Sequence, residues 1–202
     1  NEIEVTTSFL DNVIIVKPKL SIVNCQLSIE SDWSSASYFF SLVALASQAS
    51  VSLTSYKETS LQGDSALVEI YAKMGVETHF DGNKMTLTKK GNFNFEDVKF
   101  DLNNTPDIAQ TIVVTCFGLG IGCHLTGLHT LKIKETDRLE ALQKELTKLG
   151  ADIHVTSEDL QLNPGKTIKQ DITITWLNDI FIELLAKGDL KFETPYTQYK
   201  LF

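Results

Sequence analysis

A chain of 202 residues with 43% apolar and 22% charged side chains has globular composition and is long enough for one large domain or two small ones. No apolar run reaches the roughly 18 residues that span a bilayer, the start Asn1-Glu2-Ile3-Glu4-Val5 is not a signal peptide, and a net charge of −8 argues against a general nucleic-acid binder. Cys25, Cys116 and Cys123 are an odd set without C-x-x-C spacing, which disfavours a disulfide framework or a structural zinc and points to a reducing, cytoplasmic setting.

In chain order, the first strand-like runs are Ile3-Glu-Val-Thr6 and Val13-Ile-Ile-Val16, flanking Asp11-Asn12. Gln26 to Glu30 reads as a strand, and Ser35 to Ala46 as a helix apolar nearly all round, hence buried. Val51 to Thr54 is the next strand. Leu67, Ile70, Tyr71 and Met74 form an i, i+3, i+4, i+7 stripe, ended by Gly75. Two alternating runs around Asp81-Gly82 read as a hairpin.

The same order then recurs. Val98 to Leu102 is a strand, and Thr105-Pro106-Asp107 opens a helix with an N-cap residue and a first-turn proline. Ile108 to Phe117 is its apolar body, Gly118 to Gly122 a helix-terminating turn, and His124 to Leu128 the next strand. Leu139, Leu142, Leu146 and Leu149 stripe a second helix that Gly150 stops, and Ala151–Val155 with Asp159–Leu162 form a closing hairpin. The fold class is therefore α/β (α+β), built from repeated β-α-β-α-β-β units with helices buried beneath sheets. The division is 1–25, the closing hairpin of an incomplete unit; 26–90 and 91–165, two complete units; and 166–202, the start of a further one at Ile172-Thr-Ile-Thr175. A chain that starts and stops within units is expected to be a fragment.

The chemistry-bearing stretch is Lys134-Glu135-Thr136-Asp137-Arg138, with two cations and two carboxylates in five residues. Inside a helix, Lys134 and Arg138 would share one face, and Thr136 or Asp137 could cap its start. The competing reading is a solvated, self-paired charge cluster. Asp107 lies at the first turn of a buried helix, where a carboxylate is favoured even without a function. His79, His124, His129 and His154 lack metal-ligand spacing and read as structural, and Cys116 as a small core residue.

Three collinear motifs, Asp32-Trp-Ser-Ser-Ala-Ser-Tyr-Phe39, Thr105-Pro-Asp-Ile-Ala109 and Leu131-Lys-Ile-Lys-Glu-Thr-Asp-Arg-Leu139, resemble the 5-enolpyruvylshikimate-3-phosphate synthase family. The resemblance runs from about Gln26 to Leu162 and implies the enolpyruvyl transferase fold, six β-α-β-α-β-β units in two domains, with this chain in the C-terminal half. It implies transfer of the enolpyruvyl group of phosphoenolpyruvate to the 5-hydroxyl of shikimate 3-phosphate, with no cofactor or metal and a monomeric intact enzyme. Asp107 then corresponds to a carboxylate that contacts shikimate 3-phosphate and accepts a proton, and Lys134 to a lysine near the 5-hydroxyl. Glu135 corresponds to the proton-transferring glutamate, and Arg138 to an arginine that holds phosphoenolpyruvate. Thr130 stands where the family motif has a substrate-binding Asn. The family's later Asn-Asp-His-Arg run has as its nearest counterpart Asn178-Asp179-Ile180-Phe181, without the His and Arg. The chain alone is expected to be inactive. The alternatives are the sister UDP-N-acetylglucosamine enolpyruvyl transferase and a non-catalytic module of the same fold.

Overall fold

The computed structural model describes residues 6–17, 29–134, 136–165 and 168–169. It divides into two units, Asn1–Ser31 and Asp32–Phe202. In the first, β1 (Thr6–Leu10) and β2 (Val13–Lys17) pair antiparallel, with Leu10 opposite Val13 and Thr6 opposite Lys17. Of the strand expected at Ile3–Thr6, only Thr6 is among the described residues, and it lies in β1. A tight turn at Asp11-Asn12 starts its ladder at the adjacent residue, which is Leu10, and Asp11 takes the positive φ of 50° that such a turn needs. Ile3 to Val5 lie outside the described residues, as do Gln26 to Ser28 and the strand expected at Ile172–Thr175; Ile29 and Glu30 are irregular, not strand.

In the second unit, α1 (Trp33–Leu45) begins two residues before the expected start because Asp32 caps it, accepting from Ser34 N at 3.1 Å. Its far end is closed by Lys89, whose ammonium donates to the Ala44 carbonyl and lies 4.8 Å from the centre of the Phe95 ring. Then come β3 (Ser50–Thr54), α2 (Leu67–Ala72), β4 (Val76–Asp81) and β5 (Lys84–Lys89). The β4–β5 turn is Gly82-Asn83, one residue later than the sequence suggests, because Asp81 still pairs with Lys84. These strands form an antiparallel sheet in the order β3-β5-β4.

The second repeat follows as β6 (Val98–Asp101), α3 (Ala109–Leu119), β7 (Cys123–Thr126), α4 (Arg138–Lys148), β8 (Ile153–Val155) and β9 (Leu160–Leu162). Its sheet runs β6-β7-β9-β8, with β6 parallel to β7 and the other pairs antiparallel. Its last three strands have the order of the first sheet, and β6 is added outside β7. Gly120, at φ 75°, ends α3 in the left-handed conformation that glycine adopts without steric cost.

The core lies between α1, α2, α3 and the sheets. Trp33, Phe40, Tyr71 and all four leucines of the α4 stripe are buried. Truncating an aromatic such as Trp33 to Ala typically costs about 3–5 kcal/mol. The three helices also share a buried hydroxyl junction. Ser41 of α1 and Tyr71 of α2 both meet Thr115 of α3, at 2.5 and 3.0 Å, and Thr115 donates to the Thr111 carbonyl at 2.6 Å.

Candidate functional site

The site is built on the turn between β6 and α3. Asp101 at the end of β6 accepts from both Asn103 N (3.1 Å) and Asn103 Nδ2 (2.7 Å), an Asx turn that folds the chain back. Leu102 N donates to Thr126 O at 2.9 Å, pinning the turn to β7. Gly127, at φ 78°, packs so closely that a Cβ there would stand 2.5 Å from Asn103 N. Pro106, which has no N–H to leave unpaired, opens a 3-10 turn, Pro106–Ile108, that runs into α3. Thr105 precedes it but does not cap it, contrary to the sequence reading: its side chain bonds to Asp64 instead.

Asp107 projects from this turn and meets two cations. Lys134 Nζ lies 3.1 Å from Asp107 Oδ1 and 3.3 Å from Oδ2, and Arg138 Nη1 donates to Oδ1 at 3.2 Å. The two cations do not share a helix face as expected. Lys134 is in extended backbone after the 3-10 turn His129–Ile133, and α4 begins only at Arg138 because Asp137 caps it, accepting from Glu140 N at 3.1 Å. A turn and a helix start therefore converge on one carboxylate from a third element. Thr130 lies in the His129–Ile133 turn with a buried hydroxyl that has no hydrogen-bond partner among the described residues, so it does not join the cluster. Glu135 lies outside the described residues.

Asp107 and Lys134 are 40% and 34% exposed, and pairs this open to water contribute about 0–1 kcal/mol each. Stability is therefore a poor reason for the cluster. Chemically, it offers an ammonium and a guanidinium beside a carboxylate that can take a proton, which suits an anionic reactant with an ionisable hydroxyl. Among the described residues no three metal-ligating side chains come together, and no helix is long and apolar enough to cross a membrane. His124 lies 3.6 Å from Asp159 and His154 lies 3.2 Å from Asp152, both on the second sheet. Cys116 is buried, its thiol 3.8 Å from the Met74 sulfur.

Sequence reasoning missed Asp64, in the 3-10 turn Gly63–Ala66 before α2. Its carboxylate accepts from Ser34 Oγ and Thr105 Oγ1. The available signal was Gln62-Gly63-Asp64, a polar run with a glycine between a strand and a helix.

A family model described as EPSP synthase (3-phosphoshikimate 1-carboxyvinyltransferase) matches residues 2–180. The chain belongs to the EPSP synthase family. A 3-phosphoshikimate 1-carboxyvinyltransferase of Bacteroides fragilis (strain YCH46) is 40% identical over 161 residues, 79% of this chain and 38% of that protein. One from Methanococcus vannielii is 36% identical over 146 residues, 72% of this chain and 33% of that protein. The chain thus spans about a third of the length of these EPSP synthase relatives. Among solved structures, an EPSP synthase from Acinetobacter baumannii aligns with a TM-score of 0.65 at 20% identity, over 93% of this chain and 46% of that one. A second from the same organism gives 0.67 at 19% identity. These structures show that the chain has the enolpyruvyl transferase fold.

Proposed function

We propose that this chain is part of an enzyme that transfers the enolpyruvyl group of phosphoenolpyruvate to the 5-hydroxyl of shikimate 3-phosphate and releases phosphate. The observation that carries the reading is the meeting of Lys134 and Arg138, from separate elements, on Asp107 in a chain of this family. In the reaction, the 5-hydroxyl oxygen bonds to C2 of phosphoenolpyruvate while C3 takes a proton, giving a tetrahedral ketal. Loss of a proton from C3 then restores the double bond as the C2–O bond to phosphate breaks.

Asp107 takes the hydroxyl proton in this scheme, and Lys134 stands beside the hydroxyl to favour the developing alkoxide. Glu135 moves the proton at C3, Arg138 grips phosphoenolpyruvate, and Thr130 contacts substrate. The buried Thr130 hydroxyl, without a partner among the described residues, supports that last role, since such a group gains by meeting a ligand. The same reading takes 26–90 and 91–165 as complete units flanked by partial ones, and the intact enzyme as cytoplasmic, monomeric and independent of metal or cofactor. Both anionic substrates must be held together away from water, and the N-terminal half of the family fold supplies the other wall.

The test is phosphate release from the two substrates, measured on the product of the complete reading frame and on this chain alone. Turnover by the former and none by the latter is expected, and Asp107→Asn should remove most of it. An intact product that binds neither substrate and releases no phosphate would favour a non-catalytic module and overturn the reading.

A further inference from the structure

We propose that Asp64 is a positioning residue for Asp107, holding the turn that carries it through Thr105; the inference rests on the catalytic reading of Asp107 above. The two carboxylate oxygens of Asp64 are divided between two repeats. Oδ2 accepts from Ser34 in the first turn of α1, and Oδ1 accepts from Thr105, two residues before Asp107. A hydroxyl donating to a carboxylate is among the stronger hydrogen bonds available to a protein, and Thr105 takes it in place of the cap bond that a threonine there ordinarily makes.

The flanking residues make the same junction. Gln62 Oε1 accepts from Trp33 N at 2.9 Å, at the start of α1. Gly63 lies against Asn104 so closely that a Cβ would stand 2.2 Å from the Asn104 carbonyl oxygen. Three successive residues therefore hold the starts of both buried helices, and with Gly127 packed against Asn103 the Asn103–Asn104 turn has almost no room to move. Displacement of Thr105 passes directly to Asp107, because the intervening Pro106 ring fixes its own φ. Asp107 would then lose its alignment with Lys134 and Arg138.

The experiment uses the intact protein, with kcat and KM normalised to the folded fraction. Asp64→Ala and Thr105→Val should each lower kcat about 10- to 100-fold, the range that a displacement near 1 Å produces, with smaller changes in KM. Thr105→Ser, which keeps the hydroxyl, should recover kcat to within about threefold of wild type. Asp64→Ala in an Asp107→Asn background should lower kcat no further than Asp107→Asn alone, because residues acting as one unit are not additive. A merely structural role would change the denaturation midpoint and leave kcat per folded molecule intact, and that outcome overturns the proposal. So does an additive double mutant. Thr105→Val carries the test if Asp64→Ala does not fold. Undiminished kcat in Asp107→Asn instead overturns the catalytic reading on which the proposal rests, so the two failures are told apart.

Discussion

The two repeats share one framework and use the same loop for different ends. In each, a buried helix precedes a strand, a loop leads to an amphipathic or short helix, and a hairpin closes the sheet in the order β3-β5-β4 or β7-β9-β8. The loop before α4 brings Lys134 and, at the helix start, Arg138 to Asp107. The corresponding loop before α2 brings Gln62, Gly63 and Asp64 against the starts of α1 and of the Pro106–Ile108 turn. One loop presents charge to the outside, while the other consumes its charge internally. The repeat thus fixes where a loop arrives, and the side chains on it decide whether its charge faces outward or is paired within the fold.

That contrast is sharpest at Asp107. Asp107→Asn in the intact protein should lower kcat about 100- to 10,000-fold, the usual contribution of a proton-transferring group, with little change in the denaturation midpoint. Arg138→Lys comes next. A guanidinium can grip an anion through two parallel bonds and an ammonium cannot, so KM for phosphoenolpyruvate should rise at least about tenfold. Unchanged KM in steady-state phosphate release would return Arg138 to a surface charge.

The framework predicts the opposite signature. Thr115→Val leaves the buried Ser41 and Tyr71 hydroxyls without their shared partner and should cost about 1–3 kcal/mol in urea unfolding, while KM stays the same. A smaller loss, about 1 kcal/mol, is expected for Asp32→Ala, which removes the cap of α1. If either change altered substrate affinity more than stability, the separation of framing from reacting residues would be wrong.

The smallest effect is at Lys89, whose pKa burial lowers from the usual 10.5. In the interval between that lowered value and 10.5, the unfolded chain holds more protons than the folded one, so stability from this group rises with pH. Wild type should therefore gain on Lys89→Met in denaturant midpoint as the pH is raised toward 10.5, and show no pH-dependent difference near neutrality. A difference that shrinks on the alkaline side would mean that the bond to Ala44 and the Phe95 ring outweigh burial.

Much of this framework was legible in the sequence because its signals are local. The Leu139–Leu149 stripe, the Leu67–Met74 stripe and the glycines at 75, 120 and 150 depend on neighbours within a few residues, and all eight striped residues are buried. The sequence misleads where pairing rather than pattern sets a boundary, as at the Gly82-Asn83 turn. The nearness of Lys134 to Arg138 was also legible, but not its route, since Asp137 starts the helix too late for a shared face. Asp64 was invisible for a different reason. Its partners are 30 and 41 residues away in the chain, so no window of periodicity contains them.

The Ser41–Tyr71–Thr115 junction is constrained by the hydrogens its members carry. A threonine hydroxyl has one hydrogen, and that of Thr115 goes to the Thr111 carbonyl. Its oxygen can then only receive, so Ser41 and Tyr71 must both be givers, each with its own hydrogen aimed at the same atom. The junction has a single workable wiring. Helices α1 and α3 are greasy over most of their surface, and grease alone would let one rotate or slide by a turn against the other at little penalty. Any such slip would cost both hydroxyls their bond to Thr115. The junction works as a key: it adds little to how strongly the helices adhere, and it selects the one alignment in which they do.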